Sequence, residues 1–208
     1  MSANAADKLG EFWNARYAAD GYAYGTEPND FLVSVAGRFP VGARVLCLAD
    51  GEGRNGVWLA RQGFGVTSVD IAGQGMAKAA QLARQHGVAL ETRVADLAVH
   101  ELGASVWDAI VSIFVHLPPR VRCDLHGRCV TALRPGGYMV FEAYGPGQLG
   151  RGTGGPPEAP LLPALVDIEA ELAGCSILHR FSGLREVHEG RHHNGPGEVV
   201  QILAQKES

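Results

Sequence analysis

The stretch Arg44-Val45-Leu46-Cys47-Leu48-Ala49-Asp50-Gly51-Glu52-Gly53-Arg54-Asn55-Gly56 decides the fold of this 208-residue chain. Its first half is a short apolar run, which is typical of a buried strand. Its second half has the spacing Gly-x-Gly-x-x-Gly, in which glycines permit a tight turn and close approach of the backbone to a ligand. A helix is predicted over 55–62, and the free N–H groups at its start would face that ligand. The stretch therefore predicts a strand, a ligand-binding turn and a helix.

Strands and helices alternate on both sides of this stretch. Helices are predicted over 12–19 and 30–39, and the second has Asn29 or Asp30 as its N-cap. Further helices are predicted over 75–86 and from Pro118-Pro119 up to a stop at 133–137. Strands are predicted over 44–49, 66–70, 90–94, 107–113 and 138–143. Five strands in this order predict an α/β fold with a doubly wound, mostly parallel sheet and helices on both faces.

The composition changes after residue 143. Residues 145–163 hold six glycines and five prolines, which favours a mobile flap with few apolar anchors. A helix is then predicted over 165–172, followed by extended runs over 177–187 and 198–205. The turn between those runs contains Gly190, Asn194, Gly195 and Gly197. The last part of the chain is therefore predicted to form an antiparallel hairpin at the sheet edge.

The overall charge and the cysteines restrict the cellular context. A net charge of −4 argues against a nucleic acid partner and against binding to an anionic membrane. The cysteines form no Cys-x-x-Cys pair, the first residues lack the apolar core of a signal peptide, and the longest apolar run, 109–117, is too short to span a bilayer. We therefore expect a cytoplasmic protein with a small-molecule partner, present as a monomer or homodimer.

Two carboxylates follow predicted strands on the side where the glycine turn lies. Asp70 stands 19 residues after Gly51, where a carboxylate accepts hydrogen bonds from ribose hydroxyls. Asp96 follows the third strand beside the same crevice, where it would suit an adenine amino group. The glycine turn and Asp70 alone fit either NAD or S-adenosylmethionine (SAM).

Five motifs fall in one order between Arg44 and Ala143, and together they resemble those of class I SAM-dependent methyltransferases. The resemblance implies a Rossmann-like methyltransferase fold with a seven-stranded sheet, in which the C-terminal hairpin supplies the reversed strand. It implies SAM as cofactor and one domain over 1–208, comprising a helical cover (1–40), a cofactor-binding core (44–143), the mobile loop (145–163) and a C-terminal helix and hairpin (164–208). The motifs are Gly51-Glu52-Gly53-Arg54-Asn55-Gly56, Asp70, Arg93-Val94-Ala95-Asp96-Leu97, Trp107-Asp108-Ala109-Ile110-Val111 and Leu133-Arg134-Pro135-Gly136-Gly137-Tyr138.

A closer resemblance concerns the two ends of the chain. Phe12-Trp13-Asn14-Ala15-Arg16-Tyr17, Tyr24-Gly25-Thr26-Glu27-Pro28-Asn29 and Glu189-Gly190-Arg191-His192-His193-Asn194-Gly195 are similar to segments of tellurite-resistance and thiopurine methyltransferases. This likeness implies a small-molecule acceptor, often a sulfur or heavier chalcogen nucleophile, and an N-terminal aromatic segment folded over the cofactor. The expected cofactor-binding residues are Trp13, Tyr17, Tyr24, Asp50, Gly51, Gly53, Asn55, Asp70, Ile71, Asp96, Leu97 and Phe114.

The glycine turn departs from the broad family pattern. That pattern has an acid at the position of Cys47 and a glycine at the position of Ala49, whereas this chain places an acid at Asp50. One interpretation is that Asp50 faces the amino group of the cofactor. The other is that Asp50 only caps the following helix. The sequence leaves both interpretations open.

Methyl transfer to a soft nucleophile needs in-line positioning and, for some acceptors, removal of a proton. It needs no metal, and the histidines near the hairpin turn lie in a predicted extended segment with no completing ligand set. Candidates for the acceptor side stand at predicted strand ends or in the hairpin: His116, Tyr144, Arg191, His192 and His193.

Two other functions compete with a methyltransferase. An NAD(P)-dependent oxidoreductase would explain the glycine turn and Asp70, but not Asp96, the Pro-Gly-Gly segment or the hairpin. A non-catalytic SAM-binding module would show the same cofactor residues as the enzyme. Among methyltransferases, the run Phe114-Val115-His116-Leu117-Pro118-Pro119 lacks the Asp/Asn-Pro-Pro-Tyr signature of enzymes that methylate DNA amino groups.

Overall fold

A computed structural model describes residues 3–208 of the chain. Seven strands and six α-helices alternate through most of it, with short 3₁₀ turns at 36–38, 146–148 and 159–161. The helices are α1 (Ala3–Tyr17), α2 (Asp30–Val35), α3 (Arg54–Arg61), α4 (Gly73–Gln85), α5 (Pro119–Ala132) and α6 (Leu165–Glu171). The strands are β1 (Arg44–Leu48), β2 (Gly65–Asp70), β3 (Glu91–Val94), β4 (Trp107–Ile113), β5 (Leu133–Tyr144), β6 (Cys175–Glu189) and β7 (His193–Lys206).

The strands form one sheet in the order β3-β2-β1-β4-β5-β7-β6. The first five strands pair in parallel, while β7 pairs antiparallel with both β5 and β6. The predicted mostly parallel, seven-stranded sheet with a C-terminal antiparallel hairpin is confirmed. The strand order reverses between β1 and β4, and a crevice at such a point is where ligands bind in open α/β sheets.

Helices cover both faces of the sheet, as a doubly wound fold requires. Leu125 of α5 and Ile168 of α6 belong to the core on one face, while Leu32 of α2 and Leu59 of α3 belong to the core on the other. Each of these side chains is at most 1% exposed, and burial of one such side chain contributes about 1.5–3 kcal/mol. The two apolar layers hold the strand ends in a fixed arrangement.

Several boundaries differ from the sequence-based prediction. Helix α1 begins at Ala3 rather than residue 12, and β5 begins at Leu133 rather than 138, because Leu133 pairs with Trp107 beside an irregularity in β4. Residues 95–106 connect β3 to β4 without a helix. Arg128 of α5 holds this connection by donating to the Leu97 and His100 carbonyls. Asn29 is the N-cap of α2, since its side chain accepts the Leu32 N–H at 2.9 Å.

The C-terminal hairpin is longer than predicted. Pairing continues to Glu189 and His193, so the turn is only residues 190–192, and Asn194, Gly195 and Gly197 lie within β7. Residues 145–163 are also better anchored than their composition predicts, since Gln148 and Leu162 are buried.

Candidate cofactor and acceptor site

A cavity of about 870 Å³ opens at the carboxyl ends of β1, β2 and β4 and is closed by α1 and the hairpin turn. Eleven of the twelve expected cofactor residues and four of the five acceptor-side candidates line it. Gly53 and Tyr144 do not. The cofactor residues in the lining are Trp13, Tyr17, Tyr24, Asp50, Gly51, Asn55, Asp70, Ile71, Asp96, Leu97 and Phe114; the acceptor-side residues are His116, Arg191, His192 and His193.

The conformation of the glycine turn explains why Gly51 lines the cavity and Gly53 does not. Gly51 and Gly53 have φ values of 57° and 87°, which favour glycine. A Cβ on Gly53 would lie 2.5 Å from Cβ of Ala79, so this position packs the turn onto α4. A Cβ on Gly51 would lie 2.6 Å from Oη of Tyr17, within the cavity. Ala49 also adopts a left-handed φ of 45°, at the position where the broad family has glycine.

Asp70 ties the turn to the end of β2. Its two carboxylate oxygens accept the N–H groups of Gly51 at 2.9 Å and of Ala72 at 2.8 Å. The side chain is buried, and this burial raises the pKa of the carboxyl. Each oxygen retains a lone pair for a further donor such as a sugar hydroxyl. Asp96 is held similarly at the next strand end, where its Oδ1 accepts the Ala98 N–H at 2.8 Å.

Asp50 turns toward α3. Its carboxylate accepts the Ser68 hydroxyl at 2.6 Å and the Gly56 N–H at 3.2 Å, the third residue of α3. The N-cap residue Gly53 has no side chain, and Asp50 makes the hydrogen bond to the third helical N–H that an N-cap side chain ordinarily makes. Burial raises the pKa of the carboxyl to about 7, although these hydrogen bonds oppose the shift. The geometry favours the capping interpretation over contact with the cofactor.

Asp50→Asn is therefore expected to change the pH dependence of stability. A carboxyl whose pKa is about 7 in the folded protein and 3.8 ordinarily stabilises the fold below about pH 4, and this contribution is lost as pH rises toward 7. Since one pKa unit corresponds to about 1.4 kcal/mol, the loss amounts to a few kcal/mol. The free energy of unfolding, measured with urea, should fall less between pH 5 and pH 8 in D50N than in the unaltered chain. Unchanged affinity for the cofactor would support the cap, whereas weaker affinity would support contact with the cofactor.

Three aromatic residues near the N-terminus form one side of the cavity. The rings of Trp13 and Tyr17 stack at 5.6 Å, and Tyr24 packs edge-on against Tyr17 at 6.4 Å. Arg16 donates to the Tyr24 hydroxyl at 2.8 Å and lies over the Trp13 ring. All three residues line the cavity, and their role as a cover over the cofactor stays a prediction.

An ion pair that the sequence did not reveal holds this cover against the core. Glu52, in the glycine turn, accepts the Ala23 N–H at 2.6 Å and pairs with Lys78 of α4 at 2.9 Å. Lys78 also donates to the carbonyls of Ala19 and Gly21. The segment after α1 is therefore fastened to the turn and to α4 at several points.

The opposite side of the cavity is built from aromatic and histidine rings. The Phe114 ring lies 4.6 Å from both Tyr144 and His193, and its backbone has a left-handed φ of 55°. Tyr144 is fully buried behind this wall and points its hydroxyl to the Thr153 carbonyl at 3.4 Å. Burial also raises the pKa of that hydroxyl. Tyr144 therefore supports the wall, and direct contact with an acceptor is not favoured by its position.

The hairpin turn closes the cavity against the cover. The Arg191 N–H donates to the Ala23 carbonyl at 3.1 Å, and the His193 ring lies 4.7 Å from Tyr24. Burial and the nearby charge of Arg54 lower the pKa of His193 to about 2, so this imidazole is neutral. Histidines at the hairpin thus present uncharged nitrogen atoms to the cavity.

A buried ionic network lies behind the site, and sequence reasoning missed it. Glu142 of β5 accepts from Asn29 at 3.0 Å and from Arg185 and Gln201. Glu189 also accepts from Asn29 at 2.8 Å. It pairs with Arg54 and Arg185 as well. A charged residue within the apolar run of β5 was the available signal, because an isolated buried charge is rarely tolerated.

The charged residues of two resemblance motifs lie away from the cavity, although Val111 of one of these motifs lines it. Asp108 and Arg134 form an ion pair of 2.8 Å at the opposite edge of the sheet, where Asp108 also accepts the Arg44 N–H at 2.8 Å. These motifs therefore stabilise strand starts. Within residues 3–208, no cluster of three or more metal-ligand side chains occurs. No helix in this range is both long and apolar enough to cross a membrane.

Comparisons with known proteins agree with this arrangement. Residues 45–137 match a family described as a methyltransferase domain. No curated protein sequence matches the chain.

Solved structures share the fold at low sequence identity. A structure reported for conversion of a disulfide bond into a thioacetal group during echinomycin biosynthesis has a TM-score of 0.77 and 17% identity, covering 96% of this chain and 92% of the other. TehB from Haemophilus influenzae has a TM-score of 0.71 and 18% identity, with coverage of 95% and 67%. Magnesium protoporphyrin IX methyltransferase (ChlM) from Synechocystis PCC 6803, solved with bound SAH, has a TM-score of 0.69 and 16% identity, with coverage of 97% and 99%.

The glycine turn, Asp70 and Asp96 fit a nucleoside cofactor at the switch point of the sheet, and the domain match covers the same strands. These findings indicate a methyltransferase domain over residues 45–137, with SAM as its cofactor.

Proposed function

We propose that this protein transfers a methyl group from SAM to a small-molecule acceptor, either a thiol or another chalcogen nucleophile, by in-line displacement without a metal. The observation that carries the proposal is one shared cavity in which the expected cofactor residues at the ends of β1, β2 and β3 meet His116, which follows β4, and the histidines of the hairpin. Both partners of a transfer reaction thus have room beside each other.

On the cofactor side, each residue has a definite task. Asp70 would accept hydrogen bonds from the ribose hydroxyls and Asp96 from the adenine amino group. The glycine turn admits the backbone close to the ligand, and Trp13, Tyr17 and Tyr24 exclude water from above. SAM supplies a methyl group already activated by a sulfonium centre, so the protein chiefly positions and desolvates the reactants.

On the acceptor side, the lining favours small, weakly charged molecules. His116 and His193 are buried or nearly so and carry lowered pKa values, while Arg191 and His192 lie at the entrance beside Tyr24. Gly152 and residues 154–158 also line the cavity, which supports a role for the loop 145–163 as a flap over the acceptor. The likeness to tellurite-resistance and thiopurine methyltransferases supports a chalcogen acceptor.

Calorimetric titration with SAM and with NAD tests this function, followed by assays for S-adenosylhomocysteine with thiols, selenite and tellurite. We expect SAM to bind, NAD not to bind, and at least one soft acceptor to yield a methylated product. Binding of NAD without SAM would instead support an oxidoreductase. Tight SAM binding with no product from any acceptor would support a non-catalytic module.

A further inference from the structure

Two buried imidazole nitrogens in the cavity lining lack a hydrogen-bond partner among the described residues, Nε2 of His116 and Nδ1 of His193. His116 follows β4, and its Nδ1 lies 3.0 Å from the Leu161 carbonyl oxygen. A carbonyl oxygen only accepts hydrogen bonds, so Nδ1 must carry the proton. In a neutral imidazole, Nε2 then holds a lone pair. Nε2 is buried without a hydrogen-bond partner among the described residues.

The surroundings of His116 keep it neutral. Its ring stacks on Tyr144 at 6.0 Å with an interplanar angle of 11°, and the Phe114 ring centroid lies 6.5 Å away. Burial is the main cause that lowers the pKa of His116 to about 4, and the positive charge of Arg122 lowers it further. The nearby imidazole of His193 is also neutral. The base form of His116 is therefore present throughout the physiological pH range.

The loop 145–163 fixes which nitrogen is the base. Leu161 belongs to the 3₁₀ turn Ala159–Leu161 and itself lines the cavity. Because its carbonyl fixes the position of the Nδ1 proton, the loop both encloses the acceptor space and determines the tautomer of the ring. A buried polar atom of this kind ordinarily has a hydrogen-bond partner, and an acceptor S–H or O–H group is a suitable donor.

We propose that Nε2 of His116 is the general base that takes the proton from a protic acceptor, a thiol or a hydroxyl compound, during methyl transfer; this inference rests on the proposed function. As a lone pair of the acceptor sulfur or oxygen bonds to the methyl carbon, the carbon–sulfonium bond breaks and its electron pair stays on the cofactor sulfur. The acceptor proton moves to Nε2, and Nδ1–H remains bonded to Leu161. The resulting imidazolium then releases its proton to solvent.

His116→Gln separates this role from a structural one. A glutamine amide can donate to the Leu161 carbonyl and present an oxygen to the acceptor, but it does not take up a proton at neutral pH. General base catalysis contributes about 10²–10⁴-fold to rate, so kcat/KM for an alkyl thiol should fall at least about 100-fold. Iodide is a soft nucleophile without a proton, so its methylation by SAM should fall far less in H116Q than methylation of the alkyl thiol. For an aryl thiol, which is already ionised at the assay pH, kcat/KM should fall far less in H116Q than for the alkyl thiol.

The outcomes distinguish failure of the general-base assignment from failure of the proposed methyltransferase function. Equal loss with the alkyl thiol and with iodide would show a structural role and overturn the assignment of the base, as would an alkyl thiol rate that is unchanged in H116Q. If the unaltered chain forms no S-adenosylhomocysteine with any acceptor, the proposed function itself fails and the base assignment fails with it. SAM titration of H116Q, expected to match the unaltered chain, verifies that the cofactor site is intact.

A second measurement does not depend on activity. Nitrogen-15 NMR of the histidine rings distinguishes a protonated from an unprotonated ring nitrogen, and the spectrum of H116Q assigns the His116 signals by their loss. We expect Nδ1 of His116 to be protonated and Nε2 to be unprotonated at neutral pH. Observation of the opposite tautomer, or of an imidazolium, would contradict the proposal.

Discussion

Glu142→Ala is expected to lower the free energy of unfolding by about 3–5 kcal/mol, because removing one partner of a buried ion pair leaves an uncompensated charge. Glu142 is fully buried and accepts from Asn29, Arg185 and Gln201. Its removal leaves the guanidinium of Arg185, which is only 15% exposed, with Glu189 at 3.1 Å and the exposed carboxylate of Asp30 at 4.0 Å. Urea unfolding at neutral pH measures the difference.

The control for this prediction is an ion pair at the surface. Glu91 pairs with Arg93, and both side chains are more than 40% exposed, so Glu91→Ala should cost at most about 1 kcal/mol. A second variant, Glu142→Gln, keeps the size of the side chain and one acceptor oxygen. Its loss of unfolding free energy should lie between those of E142A and E91A. If E142A were no more destabilising than E91A, the network would not be a main support of the hairpin.

Replacement of both Glu142 and Arg185 by leucine tests whether the unpaired charge causes the loss of stability in E142A. An apolar pair leaves no unpaired charge between these two positions, and buried ion pairs are often replaceable by well-packed apolar residues. The double variant should therefore be more stable than E142A. Glu189 would then keep Arg54 and Asn29 as partners.

The sequence predicted the fold well because the alternation of strands and helices is local. Local sequence, within a few residues, determines the strand over 107–113 and the glycine turn over 51–56. Topology followed from general rules for parallel strands, and the reversed β7 followed from the resemblance. Boundaries were less accurate where tertiary pairing extends an element, as it does for β5 at Leu133.

The candidate site was predictable where residues follow strand ends, since those ends share one edge of the sheet. Asp70, Asp96 and His116 were predicted in this way, and all three line the cavity. Side-chain direction was not predictable from position. The prediction therefore missed that Tyr144 lies behind the wall and that Gly53 faces α4. Contacts between distant segments were also inaccessible: Glu52 with Lys78, and Glu142 with Arg185, depend on packing that no local pattern encodes.

Asp70→Ala is expected to weaken SAM binding by at least about 100-fold, which corresponds to about 2.7 kcal/mol. The substitution removes the carboxylate proposed to accept the ribose hydroxyls, and hydrogen bonds to charged groups contribute about 1.5–3 kcal/mol each. It also releases the N–H groups of Gly51 and Ala72, which Asp70 holds at 2.9 and 2.8 Å, so the glycine turn loses its anchor. Calorimetric titration with SAM measures the effect.

Asp108→Ala is the matched control for Asp70→Ala. Asp108 also accepts a backbone N–H, from Arg44 at 2.8 Å, and pairs with Arg134, but it stands at the opposite edge of the sheet and is absent from the cavity lining. Asp108→Ala should therefore lower stability without changing SAM affinity. Asp70→Asn keeps one oxygen for Gly51 but loses the charge, so its affinity should lie between those of D70A and the unaltered chain. If D70A folds and binds SAM as tightly as D108A does, the ribose of the cofactor does not lie at the end of β2, and the placement proposed here is wrong.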